Sequence, residues 1–250
     1  DGRSRGGQIA RMLAGHVHSI DPSRPVTAAM CGSWDPVDQD WSKMDEVFAA
    51  LDVGGYNYQW RQYVPDHEIH PRRIMVGTES FPGEAFENWM SVLENSFVLG
   101  DFVWTSLDYL GESGIGRTIL GEMDDFLGAY PWHQANCGDL DLCGFKRPQS
   151  YYRDILWGNQ TKLYIAVHPP IPEGKTVTVT LWGWHDVWHN WTWHGYEGQT
   201  FKVDVYSACE KVELFLNGQS LGVKPTTKEE KFIASFEVPY APGELKAVGF

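Results

Sequence analysis

With 250 residues, 33 acidic against 20 basic side chains and a formal charge of −13, the chain repels phosphate backbones. No Lys/Arg cluster offsets that charge, which argues against nucleic acid as a partner, and no apolar run is long enough to cross a membrane. Apolar residues make up 42%, enough for one large core or two smaller ones.

The opening stretch, Asp1-Gly-Arg-Ser-Arg-Gly-Gly7, has no apolar h-region and no initiator Met. No signal peptide is expected in it, and the chain is expected to begin inside a longer polypeptide. Residues 8–20 set Ile9, Met12, Leu13, Val17 and Ile20 at helical spacing. That helix should stop at Asp21-Pro22, because the residue before proline is pushed out of the helical region. Residues 25–31 read as a buried strand, 41–51 as a helix and 52–58 as a second strand. Residues 73–78 form a third buried strand ending in Glu79-Ser80, 85–97 a helix, and 100–107 a fourth strand. Residues 147–157 give a helix with Pro148 near its start. Buried strands alternating with helices imply parallel pairing.

The texture changes near Gly158. Alternating segments at 162–167, 177–181, 201–206 and 212–216 lie between Gly, Pro and Asn turns, and Asn217-Gly218 signals a two-residue hairpin. An antiparallel sandwich is expected over 158–250, with the domain boundary at Trp157–Gly158. A complete (β/α)8 barrel takes about 250 residues. Residues 1–157 carry only four strands, so the fold class is α/β plus all-β: the C-terminal half of a TIM barrel, then the sandwich. Its cut edges should seek partner strands.

In parallel barrels, reactive side chains gather at the C-terminal ends of strands. Those positions hold Met30-Cys31, Tyr56-Asn57-Tyr58, Glu79 and Trp104, with Asp108 and Glu112 just beyond. A carboxylate among aromatic and amide side chains suits a sugar ring, which needs a nucleophile, a stacking platform and hydrogen bonds to hydroxyls. A buried strand-end carboxylate serves equally as a structural ion-pair partner. Tyr56 and Tyr58 share a face under strand alternation, which leaves open whether both can belong to the site. Asp108 and Glu112 either line the cleft or cap a loop.

Cys31, Cys137, Cys143 and Cys209 show no CxxC spacing, so no zinc site is expected. Cys137 and Cys143 could bridge in an oxidising compartment, or all four thiols stay unpaired. His185, His189 and His194 fit neither a helical pair nor a ribbon, and no metal or other cofactor is expected. Asn159-Gln-Thr and Asn190-Trp-Thr match the glycosylation acceptor, relevant only in a eukaryotic secretory host.

Met-Val-Gly-Thr-Glu79-Ser, followed by Gly100-Asp-Phe-Val-Trp-Thr-Ser-Leu-Asp-Tyr-Leu-Gly-Glu112, resembles the end of the catalytic barrel of glycoside hydrolase family 2. Tyr130-Pro-Trp-His and the run from Cys137 to Arg153 are similar to its bacterial β-galactosidase branch. Trp191-Thr-Trp-His-Gly-Tyr-Glu-Gly198, Val212 to Gly222, and Pro239 to Ala247 resemble motifs of the immunoglobulin-like domain that follows. The resemblance covers nearly the whole chain. It implies a retaining exo-β-glycosidase acting by double displacement, with Glu79 as nucleophile. It also implies Asn57, Tyr58, Tyr56, Trp104, Asp108 and Glu112 as sugar contacts.

Family members place the acid/base Glu in an Asn-Glu pair just before the helix that opens this chain. No such pair occurs there, so the acid/base residue is expected upstream and the 250 residues alone are expected to be inactive. The implied partners are a β-galactoside and the N-terminal half of the barrel, with a homo-oligomer allowed. Related bacterial enzymes are exported to the periplasm or beyond. Glucuronidases of the family carry an Asn-x-Lys pair where this chain reads Cys137-Gly-Asp-Leu-Asp141. Acid there should repel a uronate, which favours a neutral sugar; galactose is the first expectation, with mannose or a uronic acid as the alternative. A different class also remains: a non-catalytic carbohydrate-binding fragment.

Overall fold

The computed structural model describes residues 5–32, 40–122 and 127–250. It divides into two compact units, Asp1–Trp104 and Thr105–Phe250.

In the first unit, α1 (Gly6–Ile20) leads to β1 (Thr27–Met30). A 3-10 turn and the one-turn α2 (Asp45–Phe48) come next, followed by β2 (Val53–Asn57) and α3 (Tyr63–Ile69). The unit ends with β3 (Met75–Glu79), α4 (Ala85–Glu94) and β4 (Val98–Asp101). The four strands form one parallel sheet in the order β1-β2-β3-β4. Helical segments cover one face, where Met44, Val47, Phe48, Tyr63 and Val92 pack on Met30, Tyr56, Met75 and Val98. Burying each such side chain contributes about 1.5–3 kcal/mol.

The elements expected from periodicity are present, with three differences. Helix α3 was not anticipated: it is short and polar, and Pro65 is tolerated because it falls in the first turn. Helix α4 stops at Glu94, where the Asn95 side chain donates to the Ser91 carbonyl at 2.7 Å. The fourth strand covers Val98–Asp101 instead of 100–107. Beyond Asp101 the regular ladder ends, and only single hydrogen bonds, from Phe102 N–H to Gly77 and from Trp104 N–H to Ser80, continue beside β3.

The second unit opens with three short strands, β5 (Tyr109–Leu110), β6 (Thr118–Leu120) and β7 (Gln134–Ala135), then α5 (Tyr151–Trp157). It continues with β8 (Leu163–Val167), β9 (Val177–Val179), β10 (Thr200–Ser207), β11 (Lys211–Leu216) and β12 (Gln219–Pro225). Last come β13 (Ile233–Pro239) and β14 (Leu245–Gly249). Two three-stranded antiparallel sheets, β13-β10-β8 and β12-β11-β14, enclose a core of Phe201, Val203, Val205, Val212, Leu214, Phe236 and Val238. The Asn-Gly signal holds: Asn217 (φ 52°) and Gly218 (φ 80°) are both left-handed and join Leu216 to Gln219 as a two-residue loop.

The two compact units divide at Trp104–Thr105; the sequence places its domain boundary at Trp157–Gly158. Residues 105–157 pack with the β-rich part. β6 pairs with β9, and the Tyr152 hydroxyl on α5 donates to the Lys231 carbonyl at 2.7 Å. For the same reason β9, expected inside the sandwich, lies outside both three-stranded sheets. None of the four cysteines forms a disulfide: Cys137 is buried and Cys143 exposed.

A buried polar cluster sits on β10. Asp204 (5% exposed) accepts from Ser235 Oγ at 2.5 Å and bonds His168 Nε2 at 2.6 Å, with Lys202 Nζ 3.4 Å away. Burial pushes the Asp204 carboxyl up, but the His168 and Ser235 hydrogen bonds outweigh it and hold the carboxyl below its ordinary value. A depressed folded-state value stabilises the fold above the unfolded carboxylate pKa of about 3.9, and that stability is lost as pH falls toward the folded value. Acid titration of unfolding stability should therefore steepen below about pH 4. The Asp204→Asn variant should flatten that slope, which urea unfolding at a series of pH values measures. An unchanged slope in the variant would show that Asp204 contributes nothing to acid sensitivity.

Candidate active site

The C-terminal ends of β2, β3 and the segment after β4 lie side by side in the first unit. Parallel pairing matches Tyr56 with Gly77 and then Asn57 with Glu79, so β3 carries one extra residue, Thr78, at its end. In regular pairing Asn57 would face Thr78 and Glu79 would fall on the opposite side. The bulge turns Glu79 onto the Asn57 side of the sheet, away from the helix-covered face that Tyr56 occupies. Thr78 Oγ1 donates to Asn57 Oδ1 at 3.1 Å and ties the bulge to β2.

Tyr58 follows directly. Its φ of 58° is left-handed, a conformation costing a non-glycine residue about 1–3 kcal/mol. Its N–H donates to the Glu79 carbonyl at 2.8 Å, and its ring stacks on Phe81 with centroids 4.1 Å apart. The strained residue is thus clamped to the backbone of the candidate nucleophile. After β4 the chain keeps running beside β3: Phe102 N–H donates to Gly77 and Trp104 N–H to Ser80. That puts Trp104, partly buried, at the residue next to Glu79.

Position 77 requires glycine because a Cβ there would collide with Asp101 Oδ1 and sit 2.8 Å from the Tyr63 hydroxyl. Asp101 accepts from Ser80 Oγ at 2.6 Å, which fixes the residue following Glu79. Asp101, Thr78, Ser80 and Phe81 were not singled out from sequence. Thr78 and Ser80 flank Glu79 in the Thr-Glu-Ser run, but their contacts depend on register.

Tyr56 is a correction. It is 1% exposed, packs against Phe48 and Tyr63, and donates from its hydroxyl to Asp66 at 2.7 Å. Arg73 bonds both the Tyr56 hydroxyl (3.3 Å) and Asp66 (2.9 Å), and burial pushes the Tyr56 hydroxyl well above its usual range. A side chain enclosed in the helix-facing core cannot touch a sugar; strand alternation ends at Asn57, which is why Tyr56 and Tyr58 part company.

Asp108 and Glu112 belong to the second unit. Asp108 is 1% exposed, bonds Arg147, and accepts from the Gly138 N–H at 2.8 Å. It therefore braces a loop, and the cleft-lining role is corrected to a structural one. Glu112 is exposed with φ 36° and accepts from the Tyr109 hydroxyl. Cys137 nearby is no nucleophile at neutral pH, since burial and then the Asp108 charge push its thiol up to about 12. The repulsion argument against uronates also loses its basis. Asp139 is ion-paired with Arg153 at 2.8 Å, and Asp141 accepts from the Cys143 and Phe145 N–H groups.

Among the described residues no group of His, Cys, Asp and Glu could hold a metal ion, and no helix is long and apolar enough to cross a membrane.

Residues 198–250 match a family described as a domain of unknown function, DUF4982. A solved glycosyl hydrolase family 2 member from Bacteroides cellulosilyticus is 40% identical, with a TM-score of 0.86 over 100% of this chain and 31% of that one. A β-galactosidase, BoGH2A of Bacteroides ovatus, is 25% identical over 96% of this chain and 28% of its own length. A putative β-glucuronidase of Formosa agariphila is 31% identical over 65% of this chain and 13% of its own. The chain thus spans less than a third of each of these relatives.

Proposed function

Since this chain is related over its whole length to glycoside hydrolase family 2, we propose that it is the part of a retaining β-glycosidase that carries the nucleophile, Glu79. The observation that carries this reading is the bulge that brings Glu79 beside Asn57 at the end of a parallel strand, with Trp104 anchored to the next residue. Carboxylate, amide and indole at adjacent strand ends supply a nucleophile, a hydroxyl partner and a stacking surface.

In the proposed reaction a Glu79 carboxylate oxygen attacks the anomeric carbon as the bond to the leaving oxygen breaks. A glycosyl-enzyme ester forms, and the leaving oxygen takes a proton from a general acid. Water then attacks the same carbon, gives that group its proton back and restores the Glu79 carboxylate, with net retention. A retaining pair stands about 5 Å apart. Among the described residues Asp101 is the other carboxylate at a strand end of this unit, and it is engaged by Ser80 and faces Tyr63. The acid/base carboxylate is therefore assigned to a part of the protein outside these 250 residues.

The same reading makes the first unit the C-terminal half of a (β/α)8 barrel and the later sheets an immunoglobulin-like sandwich. Sequential parallel order supports the half-barrel, as do Met12 (65% exposed) and Ile20 (73% exposed) on the uncovered side of α1. Terminal β-galactose is the proposed substrate, supported by the match to a β-galactosidase along almost the full chain. The glucuronidase relative makes a uronide the second reading.

Turnover of nitrophenyl β-galactoside, β-glucuronide and β-mannoside by the whole protein and by the 250-residue chain decides between these. The whole protein should favour the galactoside, and the chain alone should be inactive. Preference for the glucuronide would replace the substrate assignment. Activity of the isolated chain would overturn the missing acid, and no turnover of any glycoside by the whole protein would favour a binding role.

A further inference from the structure

We propose that the second unit holds a non-catalytic binding site for a single neutral sugar ring, in the cavity walled by Arg117, Trp132, Arg147, Gln149, Trp184 and Asp186. The cavity has a volume of about 180 Å³. At ~30 Å³ per water it holds roughly six waters, far below the ~300–1,000 Å³ of a drug-sized pocket. That is room for one ring and not for a chain of them.

Its walls carry hydrogen-bonding groups that the protein leaves unused. Gln149, 9% exposed, adds a side-chain amide to the lining. Arg147 gives one nitrogen to Asp108, yet its Nε is buried without an acceptor; Trp184 Nε1 is in the same condition. Buried polar groups without partners are uncommon in folded proteins, and two unpaired donors at one cavity, with the Gln149 amide beside them, suit an occupant that both accepts and donates. A sugar ring offers adjacent hydroxyls that do both.

Charge selects the class of occupant. Arg147 is paired with Asp108, and the lining otherwise holds one cation, Arg117, and one anion, Asp186, so the formal charges around the cavity cancel and do not favour an anion. The two indoles add apolar surface suited to the C–H face of a pyranose. Trp184 is held in place by the Arg153 guanidinium, 5.1 Å from its ring centroid. The site does not depend on Glu79, because all of its residues belong to the second unit.

The test follows the indole N–H signal of Trp184 in ¹⁵N-labelled 250-residue chain, assigned by its absence in Trp184→Phe. Methyl β-galactoside, methyl β-glucoside and, as an anion, acetate are titrated into the millimolar range. A sugar-dependent shift is expected, weakened roughly two- to tenfold in Gln149→Ala, the loss of one or two hydrogen bonds. Asp186→Asn serves as the second variant should Gln149→Ala lower the melting temperature. A Trp184 signal unmoved by either sugar would overturn the proposal. So would a shift of equal affinity in the variants, or a response to acetate alone.

Discussion

Glu79→Gln in the whole protein is expected to lower kcat by several orders of magnitude, on the order of 10⁴ or more, with the fold intact. Glutamine keeps the shape and the backbone clamp from Tyr58, but an amide oxygen does not displace a glycosidic oxygen to form a stable ester. Because a structural carboxylate would also matter for activity, a second measurement separates the roles. Glu79→Ala supplied with azide should regain turnover: azide attacks the anomeric carbon from the emptied side, the leaving oxygen is protonated by the general acid, and a glycosyl azide of inverted configuration is released. Near-normal kcat in Glu79→Gln, or no azide product from a well-folded Glu79→Ala, would remove Glu79 from the nucleophile role. The bulge at Thr78 explains why so much hangs on one position. A slip of one residue in the pairing of β2 and β3 would aim this carboxylate into the helix-facing core, where Tyr56 sits.

Asp108→Ala should cost about 3–5 kcal/mol of stability, the scale for breaking a buried ion pair from one side. The variant leaves Arg147 without its counter-charge and the Gly138 N–H without an acceptor. For a domain of this size, the melting temperature should fall by roughly 10 °C. Calorimetry together with a kcat and KM measurement on the whole protein reads both effects. A cleft-lining residue would change KM and leave the melt alone; the bracing role predicts the reverse balance. An unshifted melt would return Asp108 to the candidate substrate contacts.

Asp108 also marks where one-dimensional reading stops. Its distance from Trp104 along the chain suggested a shared cleft, yet its partners are Gly138 and Arg147, some thirty and forty residues further on. Asp139 shows the same thing in its charge: it reads as a repelling acid until Arg153 is found 2.8 Å away. Trp104 and Glu79 could be placed near one another from sequence because both lie at or just beyond strands of a parallel sheet, and adjacent parallel strands bring their ends together by construction.

By itself the sequence determined the alternation of buried strands and helices up to Asp101, the antiparallel strands that follow, and the left-handed pair at Asn217-Gly218. Each is a local property, set by side-chain period or by the backbone freedom of one or two residues. Only the tertiary structure decided the direction of Glu79, the burial of Tyr56, the partners of Asp108 and the packing of residues 105–157 with the β-rich unit. Those depend on register and on partners far along the chain. A single inserted residue, such as Thr78 in β3, reverses a face without altering the apolar pattern from which the strand was read.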